Sequence, residues 1–241
     1  MLDDILGGLL KVLGRALYWV FAQVVSLAIN AVSALRRSRR LRPYPRFCSR
    51  HELRYDAVHS SVLGGQDGPP FDRSHDGDAY GSVTAGIGTR QFTSFEYCFR
   101  LEGADFQIDR YLRVALVRLP GSLPPIQVGP ESKLTGIFPG LAPLDVDVEN
   151  HDFNRTYRVS VGKQTQDRRY AVDLLNPRGV EALMSVPPLH WRIRGNEIVA
   201  WWKPGGPRDT LRRVEALARL VDAIPGFVWA DRTDTHRRTC Q

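Results

Sequence analysis

The hydrophobic pattern of the chain is dominated by one uncharged run, residues 16–35, in which no Asp, Glu, Lys or Arg occurs. At 1.5 Å rise per residue, a helix of about 20 residues crosses the roughly 30 Å hydrocarbon core of a bilayer. Such a helix also satisfies its backbone hydrogen bonds internally, as a lipid environment demands. The run therefore predicts a single transmembrane helix, contained in an N-terminal segment of residues 1–37.

The charges beside this run predict its orientation. Lys11 and Arg15 precede it and are balanced by Asp3 and Asp4, whereas a dense basic cluster follows it, namely Arg36, Arg37, Arg39, Arg40, Arg42 and Arg46. Because basic flanks are retained on the cytoplasmic side, we expect the N-terminus outside and the C-terminal domain in the cytoplasm. The same basic cluster favours contact with anionic lipid headgroups at the membrane surface.

A cleaved signal peptide is the alternative for this segment, since Ala31, Ser33 and Ala34 are small residues of the kind found at cleavage sites. A signal peptide places its positive charge before an apolar core of about 7 to 15 residues. Here the core is longer and the basic block follows it. The order of the charges therefore favours an uncleaved anchor.

One face of the predicted helix is polar or small. Its residues recur at steps of three or four, which at about 100° per residue keeps them in one sector. Polar residues in a span are usually buried against other helices. We therefore predict a helix-docking face that contacts an integral membrane protein complex or a second copy of the chain, formed by Trp19, Gln23, Ser26, Asn30 and Ser33. Two alternatives stay open: polar residues tolerated singly in a span, and an interfacial amphipathic helix, although the charged face is thin in the middle.

The remainder of the chain has short strand and helix patterns. Residues 38–46 form a basic, proline-containing connector, residues 47–229 a cytoplasmic domain, and residues 230–241 a flexible tail. Alternating apolar and polar residues predict strands at 54–58, 82–86, 91–101, 111–119, 126–128, 145–149 and 153–161, with a proline-rich link over 120–125. Two further apolar runs flank Gly195 and Asn196 and predict a hairpin over 191–202.

Helical periodicity appears in three segments of this domain, residues 166–175, 178–185 and 211–224, the last with Asp209 as its predicted N-cap. Few helices among many short strands indicate an α+β fold. We expect a mostly antiparallel β-sheet with a few helices packed on it, in addition to the single N-terminal transmembrane helix.

Net charge changes this picture little once it is located. The chain carries a formal charge of +7, but residues 36–46 account for +6, so the basicity belongs to the membrane junction. This distribution, with no interleaved aromatic and basic motif, argues against a nucleic-acid partner. Three widely spaced cysteines suit reduced thiols in a cytoplasmic domain. Cys48 and His51 lack a second pair at ligand spacing, so no metal and no cofactor are predicted.

No catalytic motif stands out in the domain. The nucleophile elbow G-x-S-x-G and the phosphate-binding G-x-x-x-x-G-K are both absent from the sequence. Four tryptophans are interpreted mainly as core residues, with a ligand cleft as the alternative use: Trp191, Trp201, Trp202 and Trp229. We predict that the protein is not an enzyme. The alternative is a membrane-tethered cytoplasmic ligand sensor or enzyme that uses a Trp-lined cleft.

Three segments resemble an uncharacterised actinobacterial family of membrane-associated proteins. They are Phe-Asn-Arg at 153–155, Ala-Val-Asp-Leu-Leu-Asn-Pro at 171–177, and Ile-Pro-Gly-Phe-Val-Trp at 224–229. The resemblance implies an actinobacterial inner membrane and no catalytic residues. It also implies a non-catalytic accessory or assembly subunit that docks on a larger membrane complex, with a respiratory-chain complex or supercomplex as the first candidate.

Overall fold

The chain begins with a long helix, α1, which runs from Leu2 to Leu41 without interruption in the computed structural model. Its 40 residues give it a length of about 60 Å. The structure describes residues 2–58, 60–73, 77–102, 107–130, 141–144, 148, 150–162 and 168–229, and the side chains of α1 from residue 13 onwards. The predicted strand at 145–149, apart from position 148, and the predicted tail at 230–241 lie outside these residues.

A second helix, α2 (Tyr44–Arg50), follows α1 after a break of two residues. Pro43 occupies its N-cap position and Pro45 its first turn. Proline is tolerated there because the first amide groups of a helix have no intrahelical acceptor. The expected connector at 38–46 is therefore mostly helical, with only Arg42 and Pro43 between the two helices.

Seven strands form one sheet in which all of the pairings are antiparallel: β1 (Arg54–Val58), β2 (Asp78–Ile87), β3 (Arg90–Glu102), β4 (Gln107–Pro130), β5 (Leu141–Leu144), β6 (Tyr157–Gly162) and β7 (His190–Trp202). The strand order is β1-β2-β3-β4-β6-β5, and β7 pairs with β4. Four more helices complete the described fold: α3 (His151–Thr156), α4 (Arg168–Leu174), α5 (Pro177–Met184) and α6 (Pro207–Ala223). The predicted α+β fold with a mostly antiparallel sheet is confirmed.

β4 is the centre of the sheet because three strands pair with it. Val114 in its first half lies opposite both Phe95 of β3 and Trp201 of β7, whereas Val128 near its end lies opposite Val159 of β6 and Trp191 of β7. The predicted break at the proline-rich link is wrong, since β4 continues through it. The prolines occupy the segment between Arg118 and Ile126 where the ladder to β7 shifts register, and irregular pairing tolerates a missing N–H.

The predicted hairpin at 191–202 is also wrong. Both of its arms pair with β4 in the same antiparallel sense, so they form the single strand β7. Gly195 has φ of +59° and sits at the register shift, where it absorbs an irregularity in the ladder. A glycine between two alternating apolar runs occurs both in hairpin turns and in β-bulges. Here it forms a bulge, because the long strand β4 pairs with the residues on both sides of it.

Two helix boundaries differ from expectation. The first half of the predicted strand at 153–161 is the short helix α3, because the Asn150 side chain accepts the Phe153 amide at 2.9 Å and starts a helical turn. α6 begins at Pro207 with Gly206 as its N-cap, so Asp209 is a first-turn residue and not the cap. Its carboxylate accepts from Arg213 Nε at 3.1 Å, one turn further along.

The sheet has a core on each face. One face packs against α4, α5 and α6 and buries Phe153, Leu174, Leu183, Trp191 and Leu217. The other face carries a smaller aromatic cluster of Phe71, Phe95, Tyr97, Phe99 and Trp201, with Leu63 of a short 3₁₀ turn packed against it. Burial on both faces makes β3, β4 and β7 a rigid platform for the segments that contact them.

Replacing Gly195 by Ala should lower the free energy of unfolding by about 1 kcal/mol, the usual cost of a left-handed backbone for a residue with a Cβ. An added methyl would approach only Ser122 Oγ, at 3.9 Å, so backbone conformation and not collision sets the effect. Urea unfolding of the detergent-solubilised chain, followed by tryptophan fluorescence, measures it.

Gly226→Ala is the matched control, because no atom lies within 4 Å of the position that the added methyl would take and φ is not left-handed. Its change should stay within about 0.5 kcal/mol. Equal effects at the two positions would contradict the bulge assignment.

Candidate membrane interface and helix–domain junction

Residues 13–25 of α1 present an apolar and largely exposed surface. Leu17, Trp19 and Phe21 are 69%, 60% and 67% exposed. A window of 18 residues within this helix has a mean hydropathy of 1.6, and only 6% of it is buried. Among the described residues, this is the helix that is long and apolar enough to cross a membrane. The segment is therefore a membrane anchor by length, composition and exposure.

The C-terminal half of α1 lies against the sheet. Ser26 is buried, and Asn30 Oδ1 accepts a hydrogen bond from the backbone N–H of Asp109 in β4 at 3.2 Å. Further along, Leu41 covers Gly81 of β2 so closely that a Cβ there would stand 2.7 Å from a Leu41 methyl group. The domain thus touches α1 from about Ser26 onwards.

These contacts divide the predicted helix-docking face. Trp19 and Gln23 are exposed, Ser26 is buried, and Asn30 and Ser33 are half-buried. Asn30 uses its side-chain oxygen on the chain's own sheet. Docking on a partner stays a prediction, and Trp19 and Gln23 are the members of the face that the structure leaves accessible to one.

The basic cluster is divided in the same way. Arg37 and Arg40 are half-buried against the sheet, whereas the other four side chains are exposed: Arg36, Arg39, Arg42 and Arg46. Helical rotation separates the two groups, since positions 37 and 40 follow Ser26 and Asn30 by about three turns. Four arginines are thereby available to a lipid surface.

An ion pair joins α1 to the sheet. Arg40 Nη2 lies 2.7 Å from Glu96 Oε1, and Arg40 Nε donates to Oε2 at 3.4 Å. The Glu96 side chain is only 2% exposed on β3. A buried carboxylate is costly unless it is paired and hydrogen-bonded, so the position of α1 depends on this contact.

A fully buried arginine lies on the neighbouring strand. Arg113 of β4 is directly opposite Glu96 in register and is fully buried. It donates from Nε to Ser94 Oγ at 3.0 Å, from Nη1 to the Gly81 carbonyl at 3.2 Å, and from Nη2 to the Ser94 carbonyl at 3.1 Å. Burial lowers the pKa of this guanidinium, and Tyr44 and Glu96 oppose the shift. The acceptors around it hold the charge in place.

Tyr44 extends the junction to α2 and α6. Its ring lies over the Arg113 guanidinium at 4.5 Å, a cation–π distance. Its hydroxyl donates to the Gly205 carbonyl at 3.1 Å and shares a 2.8 Å hydrogen bond with Thr210 Oγ1 of α6. Burial raises the pKa of the Tyr44 hydroxyl, which keeps it protonated. A continuous set of buried contacts therefore runs from α1 to α6.

A polar cleft of 190 Å³ opens between α1 and the sheet. Arg37 lies 3.9 Å above the Tyr80 ring, and Tyr80 donates to Asp78 at 3.1 Å. Arg100 Nε donates to Asp109 Oδ1 at 3.4 Å. The cleft is lined by Ala34, Arg37, Asp78, Tyr80, Cys98, Arg100, Asp109 and Tyr111. Its two acidic and two basic side chains already contact each other or an aromatic neighbour.

The thiols in this region are held in the protonated form. Burial and the neighbouring Asp109 raise the pKa of Cys98 to about 11, and burial also raises the pKa of Cys48. A neutral thiol is a poor nucleophile at physiological pH. Within the described ranges, no group of three or more His, Cys, Asp or Glu side chains is placed to hold a metal ion.

The tryptophans do not line a common cleft. Trp191 and Trp202 belong to the core beneath the helices, Trp201 to the cluster on the opposite face, and Trp229 packs at the margin of the first. The residues that build the junction instead are Glu96 and Arg113, which the sequence interpretation missed. The available signal was a charged residue inside an apolar run, Glu96 in the strand predicted at 91–101 and Arg113 in that at 111–119, since a buried charge needs a partner.

The chain thus combines an exposed apolar helix of membrane-spanning length with an antiparallel α+β domain clamped to its C-terminal half. No protein-family model matches this chain, and no curated protein matches it. A solved structure does: the crystal structure of the mycobacterial trehalose monomycolate transport factor A, TtfA, with a TM-score of 0.55. The match covers 77% of this chain and 93% of that chain at 11% sequence identity. At this identity the likeness establishes a shared fold.

Replacing Arg40 by Met should lower the free energy of unfolding by about 2 kcal/mol, because Glu96 would stay buried without its closest cation. Arg39→Met removes an exposed arginine one position away and should cost less than about 0.5 kcal/mol. Thermal unfolding in detergent micelles, followed by near-ultraviolet circular dichroism, compares the two.

The double variant Arg40→Met with Glu96→Gln should recover only part of the loss, since it removes the buried carboxylate that lacks Arg40 but leaves Arg113 with neutral acceptors alone. Equal stability of the Arg40→Met and Arg39→Met proteins would contradict the importance of the ion pair.

Alkylation of Cys98 by iodoacetamide should be about a hundredfold slower at pH 7.5 than that of a thiol with the ordinary pKa of 9.0, because two pKa units reduce the thiolate fraction that much. The rate should rise about tenfold per pH unit up to about pH 10. Mass spectrometry of the peptide containing Cys98 measures it, with Cys98→Ser as the blank. An alkylation rate within tenfold of that of a free thiol would contradict this prediction and show that the Cys98 thiol is accessible and ionised.

Proposed function

We propose that this chain is a non-catalytic, single-pass accessory or assembly subunit that docks on a larger membrane complex through α1. The N-terminus lies outside and the α+β domain lies in the cytoplasm, at the inner membrane. One observation carries the proposal: α1 is exposed and apolar over residues 13–25 and is fixed to the domain in its C-terminal half by the Arg40–Glu96 pair.

The rigid junction supports a positioning role. A domain that needed only attachment to a membrane could hang from a flexible linker. Here the Arg40–Glu96 pair and the hydrogen bonds of Arg113 and Tyr44 leave no flexible segment between helix and sheet. The direction of the helix in the membrane therefore sets the orientation of the domain beneath it.

The four exposed arginines of the basic cluster support the orientation. Each near-surface arginine gains about 1 kcal/mol from an anionic leaflet, and such residues are retained on the cytoplasmic side. Arg36, Arg39, Arg42 and Arg46 lie where α1 passes into α2, at the level of the sheet. Lipid headgroups are accordingly the second partner in this proposal.

The fold neighbour guides the choice of complex. Because TtfA is named as a transport factor, we place a membrane transport assembly ahead of a respiratory-chain complex as the partner. Its mycobacterial source agrees with the actinobacterial resemblance of the sequence. A non-catalytic role is supported by the protonated thiols and by the mutual contacts of the charges in the polar cleft.

After gentle solubilisation of native membranes, the full chain should migrate in native electrophoresis well above the detergent-bound lone protomer of 27.2 kDa, because α1 retains the partner complex. The matched control replaces residues 13–25 with an unrelated apolar span of equal length and keeps the domain and the basic cluster. That control should stay in the membrane and migrate as the lone protomer.

Identical migration of the native and control chains as lone protomers would refute a docking role. The same membranes test the orientation: in sealed right-side-out vesicles the domain should resist added protease until detergent is present. Digestion without detergent would reverse the proposed topology.

A further inference from the structure

The position of Arg15 in the bilayer follows from the contacts between α1 and the domain. We propose that Arg15 lies near mid-depth in the membrane and pairs there with a carboxylate on a transmembrane helix of the partner. This inference rests on the proposed docking function and adds the chemistry of the contact.

The domain limits how far α1 can be inserted. Asp109 contacts the helix at Asn30, and the adjoining Arg110 is exposed. These charged residues of β4 cannot enter hydrocarbon without a severe penalty. The side of α1 that faces the domain therefore leaves the hydrocarbon core between Ser26 and Asn30, several residues before the uncharged run ends.

The opposite side of α1 stays apolar for longer. Leu27 and Leu35 are 69% and 62% exposed and point away from the domain. If the helix is tilted, the face that points away from the domain stays in lipid for more residues than the face that points toward it. Tilt therefore explains both observations. Tilt also lengthens the part of the helix that the hydrocarbon core contains, which draws Arg15 into it.

Distance along the axis then gives the depth of Arg15. Arg15 precedes Ser26 by about 16 Å and Asn30 by about 22 Å, at 1.5 Å per residue. The hydrocarbon core is about 30 Å thick, so Arg15 lies inside it, at a distance from the inner boundary of half the thickness of the core or more. Eleven residues are close to three helical turns, so Arg15 lies in the same sector as Ser26, directly above the domain, with Trp19 and Gln23 between them.

An arginine at this depth needs an acidic partner, since intramembrane charges are paired or face a polar cavity. The helix offers none within reach, because Asp3 and Asp4 lie about 16 Å or more from Arg15 along the axis and residues 5–51 contain no Asp or Glu. A second copy of the chain inserted in the same orientation would place Arg15 against Arg15, and like charges repel. Charge complementarity therefore points to a different membrane protein whose helix carries an Asp or Glu at mid-depth.

The experiment compares Arg15→Leu, Arg15→Lys and, as a control, Arg212→Leu in full-length chains expressed in native membranes; Arg212 is an exposed arginine of α6. Arg15→Leu should remain in the membrane after carbonate extraction but lose at least tenfold of its complex in native electrophoresis. Arg15→Lys should retain most of the complex because it keeps the charge, and Arg212→Leu should retain all of it. Unfolding of the domain should be unchanged in Arg15→Leu, since Arg15 lies outside the domain contacts.

A photo-crosslinking residue at position 19 then identifies the partner helix by mass spectrometry. Arg15→Glu should abolish the complex, and exchanging the partner's acidic residue for Arg should restore it. A crosslinked helix with no carboxylate within one turn would overturn the inference, as would Arg15→Leu retaining the native complex; the proposed docking function would survive both results. Migration of the unaltered chain as a lone protomer would overturn the docking function itself, and the inference with it.

A spin label at position 15, introduced in place of Arg15, measures depth independently. Accessibility to oxygen and not to aqueous nickel complexes is expected. Accessibility to nickel would place α1 flat in the interface and overturn the inference.

Discussion

Burial of the Glu96 carboxylate is the constraint on which the joint between helix and domain depends. A carboxylate removed from water costs several kcal/mol unless cations and hydrogen bonds replace the lost hydration. β4 supplies Arg113 from the neighbouring strand, and α1 supplies Arg40 from outside the sheet. Because one residue corresponds to about 100° of helical rotation, this pair fixes which side of α1 faces the domain along its whole length.

The fold class followed from the periodicity of the sequence, but the continuity of its strands did not. Alternation located the halves of β4 and β7 correctly, and each was interrupted by a turn signal, prolines in one and Gly195 in the other. Those local signals are compatible with both a turn and a bulge. The long-range pairing of β4 with β7 decides between a turn and a bulge. The sequence of one strand does not show which strand pairs with it.

The membrane anchor and its basic cluster were predictable because they depend on composition over a window of residues. The division of the cluster was not, since Arg36, Arg37, Arg39 and Arg40 differ only in their rotation about the helix. Knowing that Arg40 contacts the sheet requires knowing that β3 brings Glu96 to it. The polar helix face was ambiguous in a similar way, because polar residues on one side of a helix can contact a partner protein or the chain's own domain. Asn30 contacts the domain.

The length of α1 has a mechanical consequence. The domain is clamped to residues 26–41, so about 36 Å of the helix projects from it, and a change in tilt of about 10° moves the far end sideways by about 6 Å relative to the domain. Helix tilt responds to the thickness of the surrounding bilayer. In the proposed topology, a thicker or thinner membrane would therefore tilt the domain together with the helix.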